Sequence, residues 1–332
     1  MKIEYMKAAK FVVEEVFCVK PGEYVLIVAD TKKLDFVEPF MAAAYAAGAE
    51  PLVVTMTPRT YPGESLPEPI NAAMKAADVV IGCVTCSIAS PLWTIIKSDP
   101  TVGTRGASIS DISDTVMMSG GLWADPHEVM QITNGVYEIA SRAKAWRLTT
   151  MAGTDLTARI RSCRIAERLP ISEPRMGGVL PGCEVAVDPV LGTVEGVFVS
   201  DGSCGALTAD RLGYKGVIGE PIRCGVEKGK IVSVEGGKEA RIFKQFLESI
   251  GDPCAYMMNH LAIGCNPNCK MTGDYINDEK ILAGVHVANA GTEGCPSGNI
   301  DHCLQHPSLW LDDQQVIDDW SFTGPLARLQ PR

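Results

Sequence analysis

Hydrophobic positions in the first half of the chain follow two alternating rhythms. Within residues 1–20, Met6, Ala9, Phe11, Val12, Val16 and Phe17 recur at near-helical spacing among Lys and Glu, predicting an amphipathic helix. After the turn Pro21-Gly22-Glu23, YVLIVAD (24–30) is an unbroken apolar run ending in an acid. That is the pattern of a parallel strand covered on both faces. The alanine-rich stretch 34–47 predicts a helix stopped by Gly48, with Pro39 marking a kink or the true start. PLVVTM (51–56) and DVVIGCV (78–84) are two further strands, separated by a proline-rich loop (58–69) and a helix beginning at 70–75. The loop is long enough to serve as an active-site or interface arm. Helix and strand in strict alternation predict an open parallel sheet with helices on both sides. GTRGASISD (103–111) and a helical segment at 126–145 extend it, and Asp111 to Asp114 follow a strand where ligand-binding loops of such sheets gather.

The rhythm changes near WRLTTMAGTDLTARI (146–160). Short β-branched runs dominate from there, including VEGVFVSDGS (194–203) and PIRCGVEKGKIVSVEGG (221–237), whose Glu227-Lys228-Gly229-Lys230 reads as a hairpin turn. One helix, 237–250, interrupts them. The expectation is an α/β domain with an open parallel sheet over 1–150. A mainly antiparallel, β-rich domain should follow over 151–332.

Composition narrows the function. The 332 residues are 46% hydrophobic and 21% charged, typical of a folded globular chain. A formal charge of -10 leaves no basic stripe for nucleic acid and little attraction to anionic lipid. The short patch RIRSCR (159–164) reads as a solvated or interface patch. No signal peptide and no uncharged run of transmembrane length is present, so a cytoplasmic location is the default. No G-x-G-x-x-G or P-loop supports a nucleotide. The twelve cysteines are not needed as a disulfide scaffold in a chain of this size, and most read as small buried hydrophobes. Cys83 and Cys86 have redox-type spacing but lack a partner C-x-x-C, while Cys265 and Cys269, four apart and close to His260, could bind a metal.

Candidate chemistry concentrates in residues 258–313, which hold His260, His286, His302 and His306 with Glu293, Asp301, Asp312 and Asp313. Neutral imidazole and carboxylate suit zinc or iron, and two histidines with one carboxylate leave positions open for substrate or O₂. His286 alternates with Val285 and Val287 and so faces away from them. Asp301 and His302, being adjacent, point to opposite faces if extended. His302 and His306 would share a face only in a helix, and Pro307 favours a turn. Glu184, between a Pro-Gly turn and an alternating strand, either aims a carboxylate into a cleft or is a solvated turn acid. Asp188 and Glu195 are weaker candidates, and Asp155 caps its own turn.

The segments PGEYVLIVAD, AAAYAAGAEPLVVTMTPR, GTDLT, LPGCEVAVDPVLGTVEGVFVSDGS, NHLAIGCNPN, GVHVANAG and LWLDD, in this order, resemble one superfamily. It contains the M29-type leucyl aminopeptidases and the iron-dependent 2,5-dihydroxypyridine 5,6-dioxygenases; NHLAIGCNPN is closer to the dioxygenases. The resemblance implies a Rossmann-like N-terminal domain over 1–150 and a β-rich, metal-binding catalytic domain over 151–332, in an Fe(II) enzyme (alternatively Zn or another divalent metal) that assembles into dimers or larger oligomers and acts on a small molecule. It assigns the metal to His260, Asp301 and His302, and catalysis to Glu184 and His286. Where those dioxygenases have His-x-Asp this chain has Asn299-Ile300-Asp301-His302. Either Asp301 keeps the carboxylate role or His302 supplies an imidazole after a small shift. His286 falls where the peptidases bind metal. For an anionic hydroxylated N-heteroaromatic, Arg59, Arg147 and Arg175 are the candidate clamps. The alternatives are a metal-dependent hydrolase of a small amide or cyclic amide, an M29-like aminopeptidase, and a binding protein without metal.

Overall fold

The computed structural model describes residues 2–207, 216–291, 295 and 297–331. Glu293 lies outside the described residues. Two compact units emerge, 1–130 with 167–183, and 131–166 with 184–332. The division expected near residue 150 is thus discontinuous: 131–166 belong with the later residues, and 167–183 return to the first unit. A single change of hydrophobic rhythm does not signal such a return.

In the first unit, a helix α1 (Met6–Phe11) continues as a π-helical turn Val12–Val16, shorter than the predicted 1–20. Strands β1 (Tyr24–Asp30), β2 (Glu50–Met56), β3 (Val79–Val84) and β4 (Arg105–Ser110) are parallel, in the order β2-β1-β3-β4. Helices α2 (Val37–Ala46), α3 (Glu68–Ala76) and α4 (Ala89–Ser98) connect them. Leu26, Val28, Val80 and Val84 pack with Ile70, Met74, Leu92 and Ile96, while Val25, Ile27 and Ala29 are buried as well. Both faces of β1 are therefore covered, as its unbroken apolar run requires. The acids at the strand ends are engaged within this unit. Asp111 accepts from Lys33 at 2.9 Å, and Asp114 accepts from Lys2 and Tyr5.

Helices α5 (Asp114–Met118) and α6 (Pro126–Ala140) precede β5 (Ala145–Thr150) and β6 (Asp155–Ile165). Next, β7 (Gly177–Val179) joins the edge of the parallel sheet beside β4. The remaining strands are β8 (Glu184–Pro189), β9 (Glu195–Ser200), β10 (Ser203–Cys204), β11 (Ile222–Glu227), β12 (Lys230–Glu235), β13 (Met258–Gly264), β14 (Val285–Ala290), β15 (Asn299–Leu304), β16 (Pro307–Leu311), β17 (Gln314–Asp318) and β18 (Ser321–Phe322). Together with β5 and β6 they form one antiparallel sheet, whose main path is β10-β15-β14-β13-β8-β6-β5-β16-β17-β18. Among the described residues, the helices between these strands are α7 (Lys238–Ile250) and the single turn α8 (Tyr275–Asp278). The β11–β12 turn places Lys228 and Gly229 at positive φ, the conformation a tight hairpin favours. Cys254 and Cys295 form a disulfide, although a chain of this length needs no such staple. No helix among the described residues is long and apolar enough to cross a membrane.

Candidate metal centre

The antiparallel register of β8, β13, β14 and β15 brings four donors to one face. Ala186 pairs with Ala262, Ala262 with His286, and His286 with Cys303, forming one cross-strand row. His260, Ala288 and Asp301 form the next row. Directly paired residues project to the same face, and so do residues two apart on a strand. Glu184, His260, His286 and Asp301 therefore share a face, with Ala186, Ala262 and Ala288 between them as small, buried spacers.

Gly264 permits the fifth member. A Cβ there would lie 2.1 Å from the Ile281 carbonyl oxygen, so only glycine lets the 280–281 backbone lie against β13. That approach buries Lys280, whose Nζ donates to Glu184 Oε2 at 2.7 Å and lies 3.1 Å from Glu279 Oε1.

His286 Nε2 is 3.6 Å from Asp301 Oδ1 and 3.8 Å from Glu184 Oε2, and His260 Nε2 is 3.8 Å from the same Asp301 oxygen. The two imidazoles meet edge to face with centroids 5.5 Å apart. All four of their ring nitrogens are buried without a hydrogen-bond partner. Each such orphan costs about 1–3 kcal/mol unless something binds it. Glu184, His260 and His286 present donor atoms within 4.8 Å of one another, as do Glu279, His286 and Asp301. The carboxyl groups of Glu184, Glu279 and Asp301 outnumber the ammonium of Lys280, and the buried face can accept a cation. The donor set fits such an ion.

Burial would raise the Glu184 carboxyl, but Lys280 above all, with the two imidazoles, holds it at about 2. Burial raises Asp301, and raises Glu279 well above the usual carboxylate range. Burial, with His286 beside it, lowers His260 well below its ordinary value and keeps the ring neutral, the form that binds metal.

Two of the expected ligands, His260 and Asp301, sit together on this face, as do Glu184 and His286. His302 does not. Its strand is extended, so it faces opposite to Asp301, packed between Phe198 and Phe243 with Nε2 donating to Asn289 Oδ1 at 3.0 Å. Its pKa falls to about 3 through burial, assisted by His286. Asn299 is tied to Asn259 at 2.6 Å.

The expected arginine clamps have local partners. Arg59 bonds Thr57 and Glu64, and Arg175 bonds the Asp99 carbonyl, both within the first unit. Arg147 makes a bidentate pair with Asp155, which is therefore a salt-bridge partner and not a cap on its own turn. His306 pairs with Asp319 on the surface, and Asp312 accepts from the Lys144 and Ala145 amides. Cys83 is buried, which pushes its thiol up, and Cys86 donates to the Arg59 carbonyl. Cys265 and Cys269 are buried and outside both donor groups. Sequence reasoning missed Glu279 and Lys280, which lie in the run Asp278-Glu279-Lys280 and look like solvated surface.

The family profile described as NicX, 2,5-dihydroxypyridine 5,6-dioxygenase, matches residues 9–324. A 2,5-dihydroxypyridine 5,6-dioxygenase of Pseudomonas putida KT2440 is 24% identical over 121 residues, 32% of this chain. The match spans about a third (34%) of that relative's length. The solved 2,5-dihydroxypyridine dioxygenase from Pseudomonas putida KT2440 superposes with TM-score 0.74 at 18% identity, covering 98% of both chains. Wild-type AmpT from Thermus thermophilus superposes with TM-score 0.62 at 14% identity, over 97% of this chain and 100% of that one. Both share the fold, an α/β sheet joined to a β-rich part.

Proposed function

The chain belongs to the 2,5-dihydroxypyridine 5,6-dioxygenase family, and from that premise we propose that it is a non-haem iron enzyme that opens the ring of a small hydroxylated N-heteroaromatic. The observation that carries this reading is the pair of buried imidazoles, His260 and His286, with unpartnered nitrogens aimed at Asp301 and Glu184. His260, His286 and Asp301 would hold the metal as two histidines and one carboxylate, the set that leaves positions for substrate and O₂. His286 thereby takes the imidazole role first assigned to His302. When bound, iron(II) supplies the unpaired-electron chemistry that lets O₂ react with a closed-shell ring.

The chain's own groups prepare the surroundings. Lys280 keeps Glu184 anionic, so with a carboxyl at about 2 Glu184 orients and balances charge and is a poor proton carrier near neutral pH. Glu279, raised by burial, holds a proton more readily, and Lys280 lies between it and Glu184. The small side chains of Ala186, Ala262 and Ala288 keep the face low enough for a flat ring.

The second reading is metal-dependent hydrolysis of a small amide, favoured by the two overlapping donor groups that share His286. Against it, the Lys280 ammonium already places a positive charge between Glu184 and Glu279. The test is metal analysis of protein purified without oxygen, followed by turnover of hydroxypyridines with O₂ uptake measured. Iron with O₂ consumption supports ring-cleaving dioxygenation. Metal-dependent ring or amide opening under anaerobic conditions selects the hydrolase and overturns it.

A further inference from the structure

The cross-strand row that contains His286 extends further than the metal donors. Arg164 on β6 pairs with Ala186 on β8, Ala186 with Ala262, and Ala262 with His286. Arg164 therefore projects to the same face as Glu184, His260, His286 and Asp301. Within that row the two intervening residues, Ala186 and Ala262, are alanines. Its charge acts on both His260 and Asp301. The guanidinium is half-exposed, and among the described residues it pairs loosely with Asp188, with Nε 3.7 Å from Oδ1, beyond hydrogen-bond length. Asp188 is meanwhile bonded by Ser162 at 2.9 Å. Arg164 thus retains donors for another acceptor, whereas Arg147 spends its fork on Asp155.

We infer that Arg164 is the residue that binds the anionic end of the substrate and selects for it. Three strand spacings separate the Arg164 and His286 backbones, about 14 Å in all. Side chains stand roughly perpendicular to a sheet, so the guanidinium and the imidazole stay well apart above the face, and a single six-membered ring with its substituents, together with the contacts at its two ends, fits between them. A carboxylate or ionised hydroxyl at the end of the ring away from the metal meets the guanidinium fork in the bidentate geometry arginine favours. The substrate class is then a monocyclic, planar N-heteroaromatic with an anionic oxygen group opposite the edge that reacts. This inference rests on the ring-substrate reading of the same face.

The test is equilibrium binding, under anaerobic conditions, of a hydroxypyridine carboxylate and its neutral carboxamide to the iron-loaded protein and to Arg164→Gln. The wild-type protein is expected to prefer the carboxylate by about tenfold or more, the size of a charge-assisted hydrogen-bond pair. In Arg164→Gln the preference should fall to about twofold or less, with iron content and melting temperature unchanged, and Arg164→Lys should recover part of it. Undiminished discrimination in Arg164→Gln overturns the inference alone. Loss of iron from Arg164→Gln overturns it too, by making Arg164 a support of the metal donors. Failure of iron-loaded wild-type protein to bind either ring overturns the ring-substrate reading and this inference with it.

Discussion

Lys280 donates to Glu184 at 2.7 Å with both side chains buried, and the same ammonium is 3.1 Å from Glu279. Removing the cation leaves acids buried without compensation, a change that typically costs about 3–5 kcal/mol. Lys280→Met is therefore expected to lower unfolding free energy by that order in denaturant titration. Adding Glu279→Gln should restore part of it. A loss below about 1 kcal/mol would place the ammonium in a surface-like environment.

His260→Ala and His286→Ala should each strip most of the bound metal while leaving the sheet folded, measured by metal analysis and circular dichroism. His302→Leu should do the reverse. It keeps the metal but leaves Asn289 Oδ1 without its donor, at about 1–3 kcal/mol of stability. Metal loss in His302→Leu with retention in His286→Ala would return the ligand role to His302.

Gly264→Ala should be damaging out of proportion to one methyl group. The new Cβ meets the Ile281 carbonyl at 2.1 Å, and backbone cannot yield as a side-chain tip can. A destabilisation of about 1–3 kcal/mol is expected, with weakened metal retention because Lys280 moves with Ile281. Thermal unfolding and metal content measured on the same sample check both parts.

In the first unit, burial would raise the Glu23 carboxyl, but the two hydrogen bonds from Arg105, at 2.9 and 2.8 Å, outweigh it and pull the carboxyl below its usual value of 4.5. A depressed carboxylate contributes stability that is fully present above the unfolded pKa and is lost as pH falls through the folded one. Glu23→Gln should thus be less stable than the wild type at neutral pH, by about 1–3 kcal/mol. The gap should narrow as pH falls below about 4.5. Chemical denaturation at several pH values measures it, and a gap independent of pH would refute the assignment.

Much of this was legible where local pattern and tertiary environment agree. YVLIVAD became a strand buried on both faces because an unbroken apolar run has no solvent-facing alternative. The alternation at Val285-His286-Val287 correctly turned His286 away from its neighbours, and the adjacency of Asp301 and His302 already implied opposite faces. What stayed hidden depends on register between distant strands. Arg164 ends a basic patch that reads as solvated until β6 is aligned with β8. Lys280 sits in an acidic-basic run, and only the close approach at Gly264 shows that it is interior. The return of 167–183 to the parallel sheet escaped for the same reason, since GGV at β7 carries no strand signature of its own.

Of the four donor-bearing strands, β8 comes from a stretch of chain far from β13, β14 and β15, which follow one another. The long connection between β8 and β13 must close before Glu184 meets the two histidines, so the complete donor face is a late product of folding. An ion that binds only the finished face cannot seed the sheet, but it acts as a clasp on it by mass action. Chelation should then hasten unfolding while leaving the earliest refolding phase untouched.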